Sequence, residues 1–521
     1  MKTPSRPPQE LAAWQSLARL AERRASASAM PSGGRATARS RRLGPLLVDY
    51  SRQLIDDDVV DALMDLAVES ELAGAIDDLF SGVPINNTDN RPVLHTLLRA
   101  PDEACPAEVA AERQRFLAFA EAVRVGERRG YTGKPYDAVV VIGIGGSQLG
   151  PELVVDALKT PHGLNVRFLA NVDGAAATGA LTGLDPATTL VVVVSKSFTT
   201  LEPRVNAETT RSWFLERTCE PGALAEHFLA VTANQDAAAE FGIPPENRFT
   251  VWDWVGGRFS LWSAAGLPIA LAIGRHGFDE LLAGARMVDD HFREMPFRDN
   301  IPVILALLGV WNTNFHGMAS HAILPYDRRL RLLTSYLQQL ETESNGKSVR
   351  RDGTTVGTHT APVVWGGEET NGQHAFHQLL HQGTRAFSAD FIAVARAGHH
   401  LKVHHDWLLA NCLAQSKAMR EGRRAEGSLG SHRSVPGNHP TTTLMLDELS
   451  PRSLGALMAL YEHKVFCLGA IWQINAFDQW GVELGKELAG PIYDELAGGD
   501  DRGVQHDAST AALLTQLRRA R

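Results

Sequence analysis

The run Ala138-Val139-Val140-Val141-Ile142 is wholly apolar, four of its five residues are β-branched, and it stops at Gly143. No residue in it marks a solvent face. Such a strand is buried on both sides, which calls for a parallel sheet covered by helices on each face. Val166–Ala170 and Leu190–Val194 read as a second and a third strand, with a helix at Pro151–Leu158, so the stretch predicts βαβ units. A second region begins near Asn300. In it Val303–Phe315 reads as a core helix, and Pro362–Trp365 as a strand leading through a Gly-rich turn into a helix at Gln373–Gln382. Arg420–Pro440 reads as an exposed loop, Leu454–Phe477 as an apolar helix, and the stretch from Gly498 as polar and then helical. Residues 1–100 read as mostly helical, with a polar break at Pro31–Arg42 and a helical stretch Met64–Ala73 ended by Ser81–Pro84. At roughly 100–200 residues per domain, a chain of this length holds two to four domains. The expectation is an α/β fold of two units, each a mainly parallel sheet flanked by helices, with helical N- and C-terminal extensions.

Composition narrows the function classes. The chain has 521 residues, 44% of them hydrophobic and 21% charged, with a formal net charge of -9. That charge disfavours nucleic acid and anionic membranes as partners, and an anionic substrate has to be captured by a local site. No apolar stretch of about 18 residues suggests a membrane span. The N-terminus has no apolar run of the secretory kind, so a cytoplasmic location is expected. Arg19, Arg23, Arg24, Arg35, Arg39, Arg41 and Arg42 leave an amphipathic transit peptide as the alternative to a helix followed by an arm. Cys105, Cys219, Cys412 and Cys467 lie far apart, which argues against a structural zinc site and a disulfide framework. The sequon Asn86-Asn87-Thr88 is then expected to be unused.

Two loops have the chemistry of an anion site. Gly143-Ile144-Gly145-Gly146-Ser147-Gln148-Leu149-Gly150 follows the first strand and leads to Pro151 at a first helical position. Glycines let backbone N–H groups approach an anion, the helix N-terminus adds positive potential, and Ser147 offers a hydroxyl. A dinucleotide fingerprint is the alternative, with Asp173 at the end of the next strand, but Gln148 stands where it needs glycine. A merely structural strand–helix turn is another. The second loop, Ser195-Lys196-Ser197-Phe198-Thr199-Thr200, has five side chains of six that can donate hydrogen bonds. An ST-rich turn with helix caps is its plain reading. Together the two loops suit a phosphate monoester.

Three segments carry acid–base candidates. Moving a proton between neighbouring carbons through an enediol needs a base, a cation for the enediolate oxygen, and an acid/base pair to open a sugar ring. Glu341-Thr342-Glu343-Ser344-Asn345-Gly346-Lys347 ends a helix at Asn-Gly, so Glu343 stands near a helix C-terminus; a Glu343–Lys347 surface pair is the alternative. Thr370–His377 starts a helix on which His374, His377 and His381 share a face. A metal site there lacks an acidic partner on that face. Asp478–Lys486 places Lys486 at a helix end, where pairing with a C-terminal dipole is the alternative.

These stretches resemble the phosphoglucose isomerase family. The resemblance is carried by Gly143–Pro151, Ser195–Thr200, Trp252–Ser263, Glu343–Lys347, Thr370–Phe376 and Phe477–Lys486, in the family's order over most of the chain. It implies two sugar-isomerase-type domains, at 103–285 with the phosphate loops and 286–490 with the catalytic Glu and His. A helical segment 1–102 would pack on the larger domain, and 491–521 would form a C-terminal arm. It implies a homodimer, no metal or organic cofactor, and interconversion of glucose 6-phosphate and fructose 6-phosphate in glycolysis and gluconeogenesis. By motif, Gly146, Ser147, Ser195, Lys196, Ser197 and Thr200 correspond to phosphate-binding positions, and Gln339 and Gln479 to substrate contacts. Glu343 corresponds to the base, Arg258 to the cation facing the enediolate, and His374 and Lys486 to the ring-opening pair, with His374 lent by the neighbouring subunit.

The chain departs from the family pattern at Ser197 and Pro203, where Thr is usual, and at Gly366-Gly367-Glu368-Glu369-Thr370, where Gly-Glu-Pro-Gly-Thr is common. The Arg420–Pro440 loop is shorter than in many bacterial relatives. A non-catalytic sugar-phosphate sensor on the same fold would not need Glu343, His374 and Lys486 together. A protein–protein signalling role outside the cell would need a secretion signal that the sequence does not offer.

Overall fold

The computed structural model describes residues 6–25, 39–160, 163–498 and 505–520. The chain divides into two compact units, residues 1–476 and 477–521.

In the first unit the helix Ala12–Ala25 precedes two strands, β1 (Ser40–Leu43) and β2 (Leu46–Arg52). They turn through Gly44, whose φ of +51° is one that few other residues adopt. The N-terminal extension is therefore helical with a strand pair added. The break expected at Pro31–Arg42 falls partly outside the described residues, and its last residues belong to β1. Arg41 and Arg42, among the residues that suggested a transit peptide, are built into the fold. Arg41 pairs with Asp299 and Arg42 with Asp447, each at 2.9 Å. The helical stretch expected at Met64–Ala73 is two helices, Asp57–Glu69 and Leu72–Ser81, broken at Glu71 with φ +53°.

Five strands, β3 (Ala138–Ile142), β4 (Asn165–Leu169), β5 (Thr189–Val194), β6 (Phe228–Thr232) and β7 (Arg248–Thr250), form an all-parallel sheet in the order β4-β3-β5-β6-β7. β3, β5 and β6 are buried along their whole length. The chain leaves β3 toward one sheet edge and β5 toward the other. That reversal opens a crevice beyond the carboxyl ends of these two adjacent strands. The glycine loop follows β3 and the Ser/Thr loop follows β5.

Four more strands, β8 (Ser320–Tyr326), β9 (Val363–Gly366), β10 (Phe387–Arg396) and β11 (Thr441–Glu448), are parallel to one another. β2 joins β11 antiparallel, giving the order β1-β2-β11-β10-β8-β9. The helix Leu267–Glu294 lies along the helix Pro451–Ile471. The latter is long and apolar enough to cross a membrane, yet it is buried within the fold and carries Glu462, His463 and Lys464. It replaces the helix expected at Leu454–Phe477 and ends at Ile471. The core helix expected at Val303–Phe315 runs as an α-helix over Ile301–Val310 and relaxes into a π turn over Trp311–Phe315. The Arg420–Pro440 stretch is a loop with one short helix, Gly430–Arg433.

Among its described residues, the second unit has a turn, Trp480–Val482, and two helices, Glu483–Leu496 and Ala508–Ala520. Glu495 joins the helices, pairing with His506 and Arg518 at 2.8 Å each.

Candidate active site

The glycine loop is shaped by close approach. Gly145 has φ +58°, and Ser147 N and Gln148 N donate to the Ile144 and Gly145 carbonyls at 3.2 and 3.0 Å, closing a tight turn into the helix Leu149–Leu158. A Cβ on Gly146 would stand 2.1 Å from the Gly257 carbonyl oxygen and 2.5 Å from Arg258 N, so only hydrogen fits there. A Cβ on Gly145 would lie 3.0 Å from Gln339 Nε2. The loop thus touches both the Arg258 stretch and Gln339. The residues weighed for and against a dinucleotide, Asp173 and Gln148, have other partners. Gln148 donates to Glu152 at 2.7 Å, and Asp173 caps the helix Gly174–Leu181 by accepting from Ala175 N at 3.0 Å.

The Ser/Thr loop lies beside it. Ser195 N donates to the Val231 carbonyl at 3.0 Å, while the buried Ser195 Oγ has no hydrogen-bond partner. Ser197 Oγ accepts from Thr199 N at 3.2 Å, and Phe198 takes φ +57° to make the turn. Thr200 begins the helix Leu201–Thr218 without capping it through its hydroxyl, so the first-turn N–H groups stay available. Pro203 sits in that first turn, where an N–H would have no intrahelical acceptor, so this departure removes no helix bond. Lys196 Nζ donates to the carbonyls of Asp253 at 2.7 Å and Val255 at 3.2 Å, tying the loop to the segment that leads into Gly256-Gly257-Arg258. Burial pushes the Lys196 ammonium below its ordinary pKa, with Asp253 opposing.

Arg258 is 3% exposed. Its Nε donates to Ser344 Oγ at 2.7 Å and its Nη2 to the Ala476 carbonyl at 2.5 Å, and Nη1 stands 3.6 Å from Glu343 Oε2. Glu343 closes a π turn, Gln339–Glu343, that continues the helix Leu333–Gln338. Single π turns inside helices recur at functional sites. The turn carries Gln339 and Glu343 together, and its inner side holds Glu341, which accepts from Asn345 Nδ2 at 3.3 Å and lies 3.9 Å from Lys464. The alternative of a Glu343–Lys347 surface pair gives way to a cap. Lys347 Nζ donates to the carbonyls of Glu343 and Ser344 at 3.1 Å and of Asn475 at 2.9 Å, satisfying the open end of the segment.

The histidines separate. His374 is exposed at the end of the turn Asn371–His374, whereas His377 is buried, with Nε2 3.0 Å from Glu369 Oε1. An acidic side chain therefore does join this face, contrary to expectation: Glu369 comes from the departing stretch before the turn, not from the helix. The Glu369–Thr370 peptide is cis. His381 Nε2 meets Gln415 Oε1 at 2.7 Å. Lys486 lies in the first turn of the helix Glu483–Leu496, paired with Glu483 at 2.8 Å, so the C-terminal dipole alternative does not hold. Gln479 lies in the same unit, just before the turn Trp480–Val482.

The structure thus brings Gly146, Ser147, Ser195, Lys196, Ser197, Thr200, Arg258, Gln339 and Glu343 to one region of the first unit. His374 stands on a separate element, and Lys486 and Gln479 belong to the second unit. Sequence reasoning missed Ser344 and the Ala476 carbonyl as anchors of Arg258, and Gly257 as the surface against which Gly146 closes. Ser344 adjoins Glu343, and only that adjacency signalled it.

Comparison with known proteins identifies the family. The phosphoglucose isomerase family profile matches residues 49–514. A glucose-6-phosphate isomerase of Burkholderia cenocepacia is 49% identical over 509 residues, covering 94% of each chain. One of Pseudomonas fluorescens is 50% identical over 499 residues, covering 91% of this chain and 90% of its own. The crystal structure of a glucose-6-phosphate isomerase from Chlamydia trachomatis superposes with a TM-score of 0.86 at 33% identity, covering 99% of this chain and all of that one.

Proposed function

The chain belongs to the phosphoglucose isomerase family, and from that premise we propose that it interconverts glucose 6-phosphate and fructose 6-phosphate through ring opening and a cis-enediol. The observation that carries the reading is the pair Arg258 and Glu343, a buried cation 3.6 Å from a partly open carboxylate, set against the two loops. The loops hold the phosphate through Gly146, Ser147, Ser195, Lys196, Ser197 and Thr200. Gln339 and Gln479 contact the sugar.

His374 and Lys486 open the ring by exchanging a proton with the ring oxygen and the anomeric hydroxyl. In the open aldose, the Glu343 carboxylate takes the C2 proton. The electron pair moves to the C1 oxygen, where the charge of Arg258 stabilises the enediolate. Proton exchange between the two oxygens and return of the Glu343 proton to C1 give the ketose. The enzyme acts as a cytoplasmic homodimer in glycolysis and gluconeogenesis, each protomer lending His374 to its partner's site. In this reading two sugar-isomerase-type domains at 103–285 and 286–490 divide the work, phosphate capture in one and the Glu and His in the other, between the segments 1–102 and 491–521.

The test is proton exchange. In deuterated water with fructose 6-phosphate, the enzyme should place label at C2 of the product. Glu343→Gln should lose both exchange and turnover by about 10²–10⁴-fold while still binding a phosphosugar inhibitor. Normal turnover by that variant would sink the assignment of the base.

A further inference from the structure

Glu369 does something that the isomerisation chemistry does not require of it. Its side chain is fully buried, and both carboxylate oxygens are committed to the short segment that carries His374. Oε2 accepts from Gln373 N at 3.1 Å, and Oε1 faces His377 Nε2 at 3.0 Å. One side chain therefore holds the residue just before His374 and the residue three after it.

The clamp is anchored at its other end. Glu369 N donates to the Pro325 carbonyl at 3.0 Å, fixing it to β8 in the second sheet. Gln373 Nε2 donates to Tyr326 Oη at 3.1 Å, a second tie to the same strand. His377 Nδ1 lies 3.3 Å from Gln415 Oε1 on the helix Lys402–Glu421. The segment is pressed onto the carboxylate: a Cβ on Gly372 would stand 2.3 Å from Glu369 Oε1 and 2.5 Å from the Phe376 ring.

His374 itself is exposed. An exposed side chain takes its precision from the backbone beneath it, and small misplacements of a proton donor are expensive in rate. A buried carboxylate is a costly anchor, and here both its oxygens serve one turn. We propose that Glu369, with His377, is a positioning pair that sets the direction of His374 for ring opening. The proposal rests on the ring-opening role given to His374 above.

The experiment compares two substrates on one sample of the full-length enzyme. Fructose 6-phosphate has to be opened. 5-Deoxyfructose 6-phosphate lacks the hydroxyl that closes the furanose ring, so it reaches Glu343 already open. Glu369→Ala should lower kcat for fructose 6-phosphate by about 10- to 100-fold and leave the open-chain analogue much less affected. The ratio of the two rates does not depend on how much of the sample is folded. Glu369→Gln, which keeps the shape, should shift the ratio in the same direction by less. In the His374→Ala background, Glu369→Ala should add little, because residues acting through one group are not additive. Equal loss on both substrates, or an unchanged ratio in both Glu369 variants, would overturn the positioning role. If His374→Ala is itself unselective, the ring-opening reading falls and this proposal with it. If His374→Ala is selective and the Glu369 variants are not, this proposal alone falls.

Discussion

Arg258 Nη1 stands 3.6 Å from Glu343 Oε2, beyond hydrogen-bonding distance, while the other two nitrogens of the guanidinium are bound to Ser344 and to the Ala476 carbonyl. Ser344 Oγ and the Ala476 carbonyl, both neutral, fix the direction of the guanidinium. A tight ion pair would tie up the lone pairs that a base must use; this spacing leaves them to a substrate. Lysine has no fork to make three contacts at once. Arg258→Lys should therefore lower kcat for fructose 6-phosphate by about 10²–10³-fold, with a smaller change in KM, as expected for a group whose charge matters most in the transition state. Steady-state kinetics check this. A variant that raised KM alone would show that Arg258 serves only ground-state binding.

Gly146 fixes how far the phosphate loop can stand from Arg258. A methyl group there would fall 2.1 Å from the Gly257 carbonyl, and the atoms it meets are main-chain, with no flexible side chain to yield. Gly146→Ala should force the Gly257–Arg258 segment outward. A displacement on the order of 1 Å costs about 10²-fold in rate. The expected outcome is a folded enzyme with a large loss in kcat/KM. Gly174→Ala, at a position with open space beside it, should change little. Similar kinetics for the two variants would refute the steric argument.

The same contrast shows how much was legible in the sequence. β3 and β5 could be read to within a residue because their valine-rich runs carry burial in their composition. β11 could not, since it opens with Thr441-Thr442-Thr443, residues that read as polar yet are buried here among their neighbours. β1 and β2 hid behind arginines whose partners, Asp299 and Asp447, are distant in sequence. The loops and Glu343 were visible because glycine, hydroxyls and a helix stop are local signals. The anchors of Arg258 were not, because a main-chain carbonyl at Ala476 has no sequence signature.

Lys196 gives the phosphate site a pH limit. Burial lowers its pKa, so it loses charge at a lower pH than an exposed lysine would. Below that value the ammonium is charged and attracts the phosphate dianion; above it the attraction is lost. Affinity for a phosphosugar inhibitor should therefore fall on the alkaline side before an ordinary lysine would titrate at 10.5. Lys196→Arg should move that fall to higher pH, and Lys196→Met should remove it and weaken binding throughout. Inhibition constants measured from neutral to alkaline pH test this. An alkaline limb unchanged in Lys196→Met would assign it to another group.

In the core, Arg99 holds the two long helices together. It is 0% exposed and bridges Asp289 at 2.6 Å on Leu267–Glu294 and Glu462 at 2.5 Å on Pro451–Ile471. Trp262 Nε1 donates to the other Glu462 oxygen at 2.8 Å. Removing one member of such a group leaves an uncompensated buried charge, so Arg99→Met should lower stability by about 3–5 kcal/mol. Burial already pushes the Glu462 carboxyl above its ordinary value of 4.5, with Arg99 opposing. Without Arg99 it should rise further. For an acid whose folded pKa is raised, the native state holds the extra proton, so stability falls as pH climbs from the unfolded value through the folded one. The deficit of Arg99→Met relative to the parent should therefore shrink as pH is lowered from 7 toward 5. Denaturant unfolding at each pH measures it. A deficit that is constant across this range would mean that lost packing, and not the stranded Glu462 charge, accounts for the loss.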